Sequence, residues 1–258
     1  MEKITMLGTG TFLVNKDRSS SAYLLETDTK KILIDCGPGT LMRLSQLGVG
    51  LQDIDYVFIT HFHADHTGDL FPLFMNYRLN AFFSGGDTMK FPEVIGPKGI
   101  GKFMLKSSKL FELPAVEGWE KIKFTEAQRS QTVGDITVEA FKVKHIAFNL
   151  AAKSYAYRFT VGGKIIVFSG DSALCPGIRS ACKNADLFFC DASYAKGGGN
   201  DAHMDTHEIG TISRKGKVRK VILSHFYPQT DNIDLVSEVK EEFSGEVIRG
   251  KDSMVLPL

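Results

Sequence analysis

The sequence predicts a layered α/β fold, with two β-sheets packed face to face and helices outside. Three observations carry that reading. Short apolar strand runs dominate both halves of the chain, each half has its own helical patterns, and no linker or low-complexity break separates them. One domain over residues 1–258 is therefore expected.

The first half opens with the strand-like run Ile4-Thr5-Met6-Leu7 and a turn at Gly8-Thr9-Gly10. Strand runs at 21–26 and 31–35 flank the hairpin turn Thr27-Asp28-Thr29-Lys30. Beyond Gly37-Pro38-Gly39, Leu41, Leu44 and Leu47 recur at helical spacing until Gly48 stops them. The β-rich run Tyr56-Val57-Phe58-Ile59-Thr60 then ends on His61, which places that histidine where a strand becomes a loop. A second helix is expected over 68–81, with Leu70, Leu73, Phe74 and Tyr77 on one face. A Gly- and Pro-bearing loop over 84–98 follows, long enough for a lid, and side chains within 82–91 are expected to choose the substrate. In the second half, strands are expected at 136–144, 155–160, 164–169, 187–190 and 218–223, and helices near 176–183, 206–213 and 235–243.

Composition narrows the function classes. The chain is 43% hydrophobic and 24% charged, which excludes a disordered or collagenous protein. Lys+Arg 31 against Asp+Glu 30 gives a net charge of +1, so no global field gathers a polyanion. The basic stretch Lys102, Lys106, Lys109, Lys121 and Lys123 reads as a solvated face. Cys36, Cys175, Cys182 and Cys190 form no CxxC pair and read as free thiols filling the core in a reducing compartment. No stretch reaches the roughly 18 apolar residues of a membrane span, and the start shows no apolar leader. A cytoplasmic protein with no membrane partner is expected, with a homodimer as the default assembly.

The strongest local signal is His61-Phe62-His63-Ala64-Asp65-His66, four metal-ligand side chains within six residues, directly after an apolar strand. In a tight loop, His61 and His63 can turn one way while Asp65 and His66 turn the other, giving two half-sites that other segments must complete. His145, Asp171 and His225 each follow an apolar strand run and supply the completions. A lone histidine is ordinarily a hydrogen-bonded core or surface imidazole, but here five of the seven histidines share one strand-exit setting. Three imidazoles, or two with a carboxylate, suit Zn²⁺ in a site that keeps a position open for water. Mixed N/O ligands also admit Mn²⁺, Fe or Co.

These motifs resemble the metallo-β-lactamase superfamily over nearly the whole chain, through Asp35, the His61/His63/Asp65/His66 cluster, His145, Asp171 and His225. The resemblance implies a four-layer αββα sandwich with two divalent metal ions at the sheet edges. It implies that His61, His63 and His145 hold one ion, that Asp65, His66 and His225 hold the other, and that Asp171 bridges them. Asp35 would orient a ligand imidazole or the backbone. Two cations about 3.5–4 Å apart share a water, lower its pKa toward neutrality and clamp the attacking and leaving oxygens of a displacement. Asp65 would also hold the resulting hydroxide in line with the electrophile.

Within the superfamily, the bridging position is Asp171 and not cysteine, unlike the main antibiotic-hydrolysing group, and the cluster lacks the Glu of flavodiiron members. Leu7-Gly8-Thr9-Gly10, Arg18 with Ser19, Ser20 and Ser21, Gly96-Pro97-Lys98-Gly99, Ser169-Gly170-Asp171-Ser172 and Leu223-Ser224-His225-Phe226 resemble the ribonuclease Z and cyclic phosphodiesterase branch. That branch pairs an acidic residue with a distant histidine. Cys190-Asp191-Ala192-Ser193-Tyr194 and His203-Met204-Asp205-Thr206 match the device in part. Asp191 and His203 would form a proton-donating dyad for the departing alkoxide; the alternative has Asp191 capping a loop and His203 at the surface. His207 reads as surface, and Gly197-Gly198-Gly199 as a flexible loop.

His145 and Asp171 are only 26 positions apart, enough for a β-hairpin and too few for the substrate-gripping arm of ribonuclease Z. A small-molecule or cyclic phosphodiester, a nucleotide or an RNA end is therefore the expected substrate; a large RNA, and transfer-RNA 3′-end processing with it, is not favoured. The rivals are a thioester, lactone or sulfate-ester hydrolase of the same fold and a non-catalytic metal-binding accessory protein.

Overall fold

The computed structural model describes residues 2–83, 90–111 and 121–258. Residues 84–89, and with them much of the lid expected over 84–98, lie outside the described residues. The chain divides into two compact units whose segments interleave: Met1–Gly8, Ser19–Ala127 and Ser253–Leu258 make the first, and Thr9–Arg18 with Gln128–Asp252 the second.

The first unit is a seven-stranded mixed sheet. Its strands are β1 (Lys3–Gly8), β2 (Ala22–Glu26), β3 (Lys31–Ile34), β4 (Tyr56–Phe58), β5 (Glu93–Gly96), β6 (Phe124–Glu126) and β16 (Val255–Pro257), in the order β16-β1-β2-β3-β4-β5-β6. β2 and β3 form the expected hairpin, its turn closed where Thr27 Oγ1 accepts from the Lys30 amide at 2.9 Å. From β3 onward the pairing is parallel, so every connection must cross over. The crossovers are the helices α1 (Thr40–Gln46), α2 (Ala64–Thr67), α3 (Leu70–Phe83) and α4 (Ile100–Leu110). Leu24, Leu33 and Val57 from the strands share a core with Leu44, Leu73, Tyr77 and Met104 from the helices.

Two expectations change here, and a third holds with an element added to it. Residues 93–96, expected in a loop, form β5, a short strand between Pro92 and Gly96 whose four residues give little periodicity to read. The basic stretch is solvated as expected, with Lys102, Lys106, Lys109, Lys121 and Lys123 exposed, but its first part also forms α4, which buries Ile100, Met104 and Ser108. Asp65 and His66 sit on the single helical turn α2 and not in a loop, and α3 begins only at Leu70.

The second unit repeats the plan. Its sheet contains β7 (Ser130–Val133), β8 (Ile136–Val143), β11 (Ser154–Val161), β12 (Lys164–Phe168), β13 (Leu187–Asp191), β14 (Lys220–Ser224) and β15 (Glu246–Arg249), ordered β15-β14-β13-β12-β11-β8-β7. β12 to β15 pair in parallel, while β11, β8 and β7 are antiparallel. Helices α5 (Pro176–Ala181), α6 (Thr206–Gly216) and α7 (Leu235–Lys240) supply the crossovers, and a two-stranded ribbon, β9 (Ile146–Ala147) with β10 (Leu150–Ala151), follows β8. The hairpin expected between His145 and Asp171 is β11–β12. The α6 start is fixed by a capping box, in which Asp205 Oδ1 accepts from the Glu208 amide at 2.8 Å and Glu208 Oε2 from the Asp205 amide at 3.2 Å. The four cysteines are free and buried, and among the described residues no helix is long and apolar enough to cross a membrane.

Candidate metal centre

In an open parallel sheet, functional side chains gather beyond the carboxyl ends of the strands. Both units follow that rule.

In the first unit, β3 runs into Asp35 and β4 into Thr60 and His61. Asp35 adopts a left-handed backbone conformation (φ 58°), which turns its buried carboxylate back toward the neighbouring strand end. Oδ1 accepts from the Thr60 amide at 2.8 Å, and Oδ2 accepts from Thr60 Oγ1 at 2.9 Å and from His66 Nδ1 at 2.7 Å. Asp35 therefore holds both the strand exit and a histidine ring. Because the Thr60 hydroxyl donates to Asp35, it accepts from His61 Nδ1 at 3.1 Å. The rings of His61 and His63 are 4.6 Å apart, and those of His61 and His66 4.2 Å. His66 Nε2 lies 3.8 Å from Asp65 Oδ2. His61, Asp65 and His66 are all buried, and His63 is half-buried. Gly37 makes the close fit possible: a Cβ there would stand 2.0 Å from the Asp65 carbonyl oxygen, so only glycine allows the turn after β3 to pass α2.

In the second unit, His145 follows β8, Asp171 follows β12, Asp191 ends β13 and His225 follows β14. His145 Nδ1 donates to the Ala202 carbonyl at 2.9 Å. The two oxygens of Asp171 face different imidazoles, Oδ1 at 3.2 Å from His225 Nε2 and Oδ2 at 3.7 Å from His145 Nε2. His225, at φ 58°, is in the second unit what Asp35 is in the first, a non-glycine residue in the left-handed region. Behind it stands Asp191. Its Oδ2 accepts from His203 Nδ1 at 2.7 Å, and its Oδ1 accepts from the Ser193 hydroxyl at 2.6 Å. The Ser193 oxygen in turn accepts from His225 Nδ1 at 3.0 Å. His203 is 5% exposed, so the surface alternative for this residue does not hold.

Charge at this cluster is set by contact. Burial alone would raise the Asp191 pKa, but His203, and to a smaller degree His225, hold it well below the carboxylate range. Burial alone would lower the His203 pKa, and the Asp191 carboxylate outweighs it and holds it above the usual imidazole value.

The donor chemistry fits divalent metal ions. Four buried imidazoles, His61, His66, His145 and His225, each spend Nδ1–H on a protein oxygen, which fixes the tautomer with the Nε2 lone pair available for coordination. Donors about 2.1 Å from one tetrahedral ion stand about 3.4 Å apart. The Nε2-to-carboxylate separations of 3.2, 3.7 and 3.8 Å are of that size. Donor atoms of Asp171, Asp191, His203 and His225 also lie within 4.8 Å of one another, but both Asp191 oxygens are occupied by hydrogen bonds, which makes Asp191 an orienting group.

Sequence reasoning did not assign Thr60 or Ser193. Both hydroxyls relay a carboxylate to a histidine, and the only trace in the sequence is their place within the motifs Thr60-His61 and Asp191-Ala192-Ser193.

Comparison with known proteins agrees with this layout. A family model described as a beta-lactamase superfamily domain matches residues 30–226. The chain is 26% identical over 255 residues to the probable metallo-hydrolase YhfI of Bacillus subtilis, covering 98% of each chain. It is 25% identical over 320 aligned residues to ribonuclease Z of Clostridium tetani, covering 100% of this chain and 99% of the relative. The YhfI crystal structure, described as a metallo-beta-lactamase fold protein, matches with a TM-score of 0.81 at 24% identity over 99% of this chain and 98% of that one. A crystal structure of a diphosphatase from the PhnP family matches with a TM-score of 0.72 at 18% identity over 100% and 98%. The structural likenesses carry the fold: a mixed α/β protein with two large sheets of the metallo-β-lactamase type.

Proposed function

The chain belongs to the β-lactamase superfamily, and from that premise we propose that it is a metal-dependent phosphodiesterase in which the two units form one hydrolase domain around two divalent ions. His61, His63 and His145 would hold one ion, Asp65, His66 and His225 the other, with Asp171 between them; zinc suits this donor set, and manganese or iron also fit. When bound, such a pair lowers the pKa of a shared water and neutralises charge on the phosphoryl oxygens.

The chain's own residues supply the rest. Asp65 accepts a hydrogen bond from the attacking water and sets its direction. Asp35 and Thr60 keep His66 and His61 in the coordinating tautomer. His203 gives a proton from Nε2 to the leaving alkoxide, while Asp191 holds its Nδ1–H and stabilises the charged ring. The observation that carries the reading is this dyad, a proton donor beside Asp171 and His225 that makes no demand on the metal-ligand set. An alkoxide leaving group needs such a donor. The names of two similar proteins, a ribonuclease and a diphosphatase, lie in the same chemistry. The short β11–β12 hairpin and the net charge of +1 favour a small or cyclic phosphodiester or a nucleotide over a long RNA. Four buried free thiols suit a cytoplasmic setting.

Metal-loaded protein is to be assayed on bis-p-nitrophenyl phosphate, a p-nitrophenyl ester, a thioester and p-nitrophenyl sulfate. Diesterase activity that disappears in Asp65→Ala is expected. Turnover confined to the ester or thioester rejects the reading, and two bound metals without any turnover assign the chain an accessory role.

A further inference from the structure

Two side chains beside the second unit's ligands have no part in the scheme above. Tyr194 follows Ser193 directly, and Tyr227 stands two residues beyond His225. Their rings are 6.0 Å apart and tilted by 44°. Each lies 5.9 Å from the imidazole of His203, and Tyr227 is also 6.1 Å from that of His225, nearly perpendicular to both rings. Phe226 shows what a purely structural aromatic looks like here: it is 1% exposed, with the guanidinium groups of Arg18 and Arg249 over its ring at 5.4 and 4.6 Å. Tyr194 and Tyr227 are instead half-buried, so two aromatic side chains border the proton donor and still meet solvent.

Given a phosphodiester at the metals, as proposed above, we infer that Tyr194 and Tyr227 form a subsite for the nucleobase of the leaving nucleoside. An oxygen that takes the proton of His203 comes within hydrogen-bond reach of that imidazole, so the group it carries must lie against the neighbours of His203. Those neighbours include the rings of Tyr194 and Tyr227, and aromatic rings favour a flat π-faced substituent, which every nucleobase has. The phenol hydroxyls add donors and acceptors for the edge of a base. A single nucleoside suits a chain with a net charge of +1, which offers no strong field for following a polynucleotide backbone. In the hydrolysis, water oxygen bonds to phosphorus, the P–O bond to the nucleoside breaks, and the nucleoside oxygen takes its proton from His203, which recovers one released by the water.

The test compares adenosine 2′,3′-cyclic phosphate with the base-free 2,3-cyclic phosphate of methyl riboside, followed by phosphorus NMR on metal-loaded wild type, Tyr194→Leu, Tyr227→Leu and Tyr227→Phe. Wild type is expected to favour the nucleotide in kcat/KM. Each leucine variant should shrink that preference by about 5- to 100-fold, chiefly through KM, and Tyr227→Phe should keep most of it. No preference in wild type overturns the subsite. So does an equal loss on both substrates in the leucine variants, which would assign the tyrosines to propping His203. Calorimetric titration with AMP and with ribose 5-phosphate reads the subsite without turnover: tighter binding of AMP, lost in the leucine variants, is expected, and equal binding of the two contradicts it. If wild type cleaves neither diester, the phosphodiesterase reading falls while the titration still decides whether the base subsite exists.

Discussion

The two units carry the same sheet plan but present their candidate ligand residues in opposite ways. The first places His61, His63, Asp65 and His66 in one short segment after β4, whereas the second draws His145, Asp171 and His225 from three separate strand exits. In the first unit, local chain geometry does most of the positioning, helped by one turn of helix and the tight passage at Gly37. In the second, the sheet itself does it, since β12, β13 and β14 must pair in register before Asp171, Asp191 and His225 become neighbours. A contiguous motif can be read directly, but a scattered one becomes a site only through topology.

The largest expected effect breaks the contrast altogether. If both sets serve one centre, His63→Ala and His225→Ala should each lower diesterase activity by at least about 10³-fold, as should chelation, with recovery on adding zinc or manganese. Loss from only one of the two substitutions would mean that the units act separately. Next comes the proton donor. His203→Ala should cost about 10²–10⁴-fold on a diester with an alkyl leaving group and much less on a p-nitrophenyl leaving group, in kcat measured at saturating metal.

A finer test separates the two carboxylates that sit behind histidines. Asp35 holds the ring of His66, the proposed ligand, and Asp191 that of His203, the proposed proton donor. Asp35→Asn should therefore weaken metal affinity by about 10- to 100-fold, read by competition with a chromogenic chelator. Asp191→Asn should act chiefly on kcat for the alkyl diester, with a smaller metal effect through Ser193 and His225. If both variants lose metal equally, the division of labour is wrong. Smaller still is the helix cap of the second unit, where Asp205→Ala removes an acceptor of the capping box and should cost about 0.5–2 kcal/mol in denaturant unfolding.

The smallest expected signal concerns thiols. Burial raises the pKa of Cys36 and Cys190 and pushes that of Cys182 up to about 11, so these thiols stay protonated at pH 8. Native protein should react only marginally with a thiol reagent, and four thiols should appear on unfolding.

How much of this was legible in the sequence follows the same contrast. The β2–β3 and β11–β12 hairpins were readable because each joins two strand-like runs across a short turn. The parallel edges were not: β5 and β6 are four and three residues long and take their identity from neighbours in the sheet. α4 was hidden because its lysines drew the eye from Ile100 and Met104, which pack inward. At the site, Asp35, Asp65 and the histidines belonged to recognisable motifs. Thr60, Ser193, Tyr194 and Tyr227 did not stand out, because a hydroxyl relay or an aromatic neighbour becomes visible only when separate strand ends lie side by side.

The most direct test is the metal content of purified protein reconstituted with zinc, measured by elemental analysis beside His63→Ala and His225→Ala. The account predicts about two ions per chain in the wild type and about one fewer in each variant, one drawn from either unit's ligand set. Wild-type protein that binds no metal, or keeps full diesterase activity without it, would contradict the account.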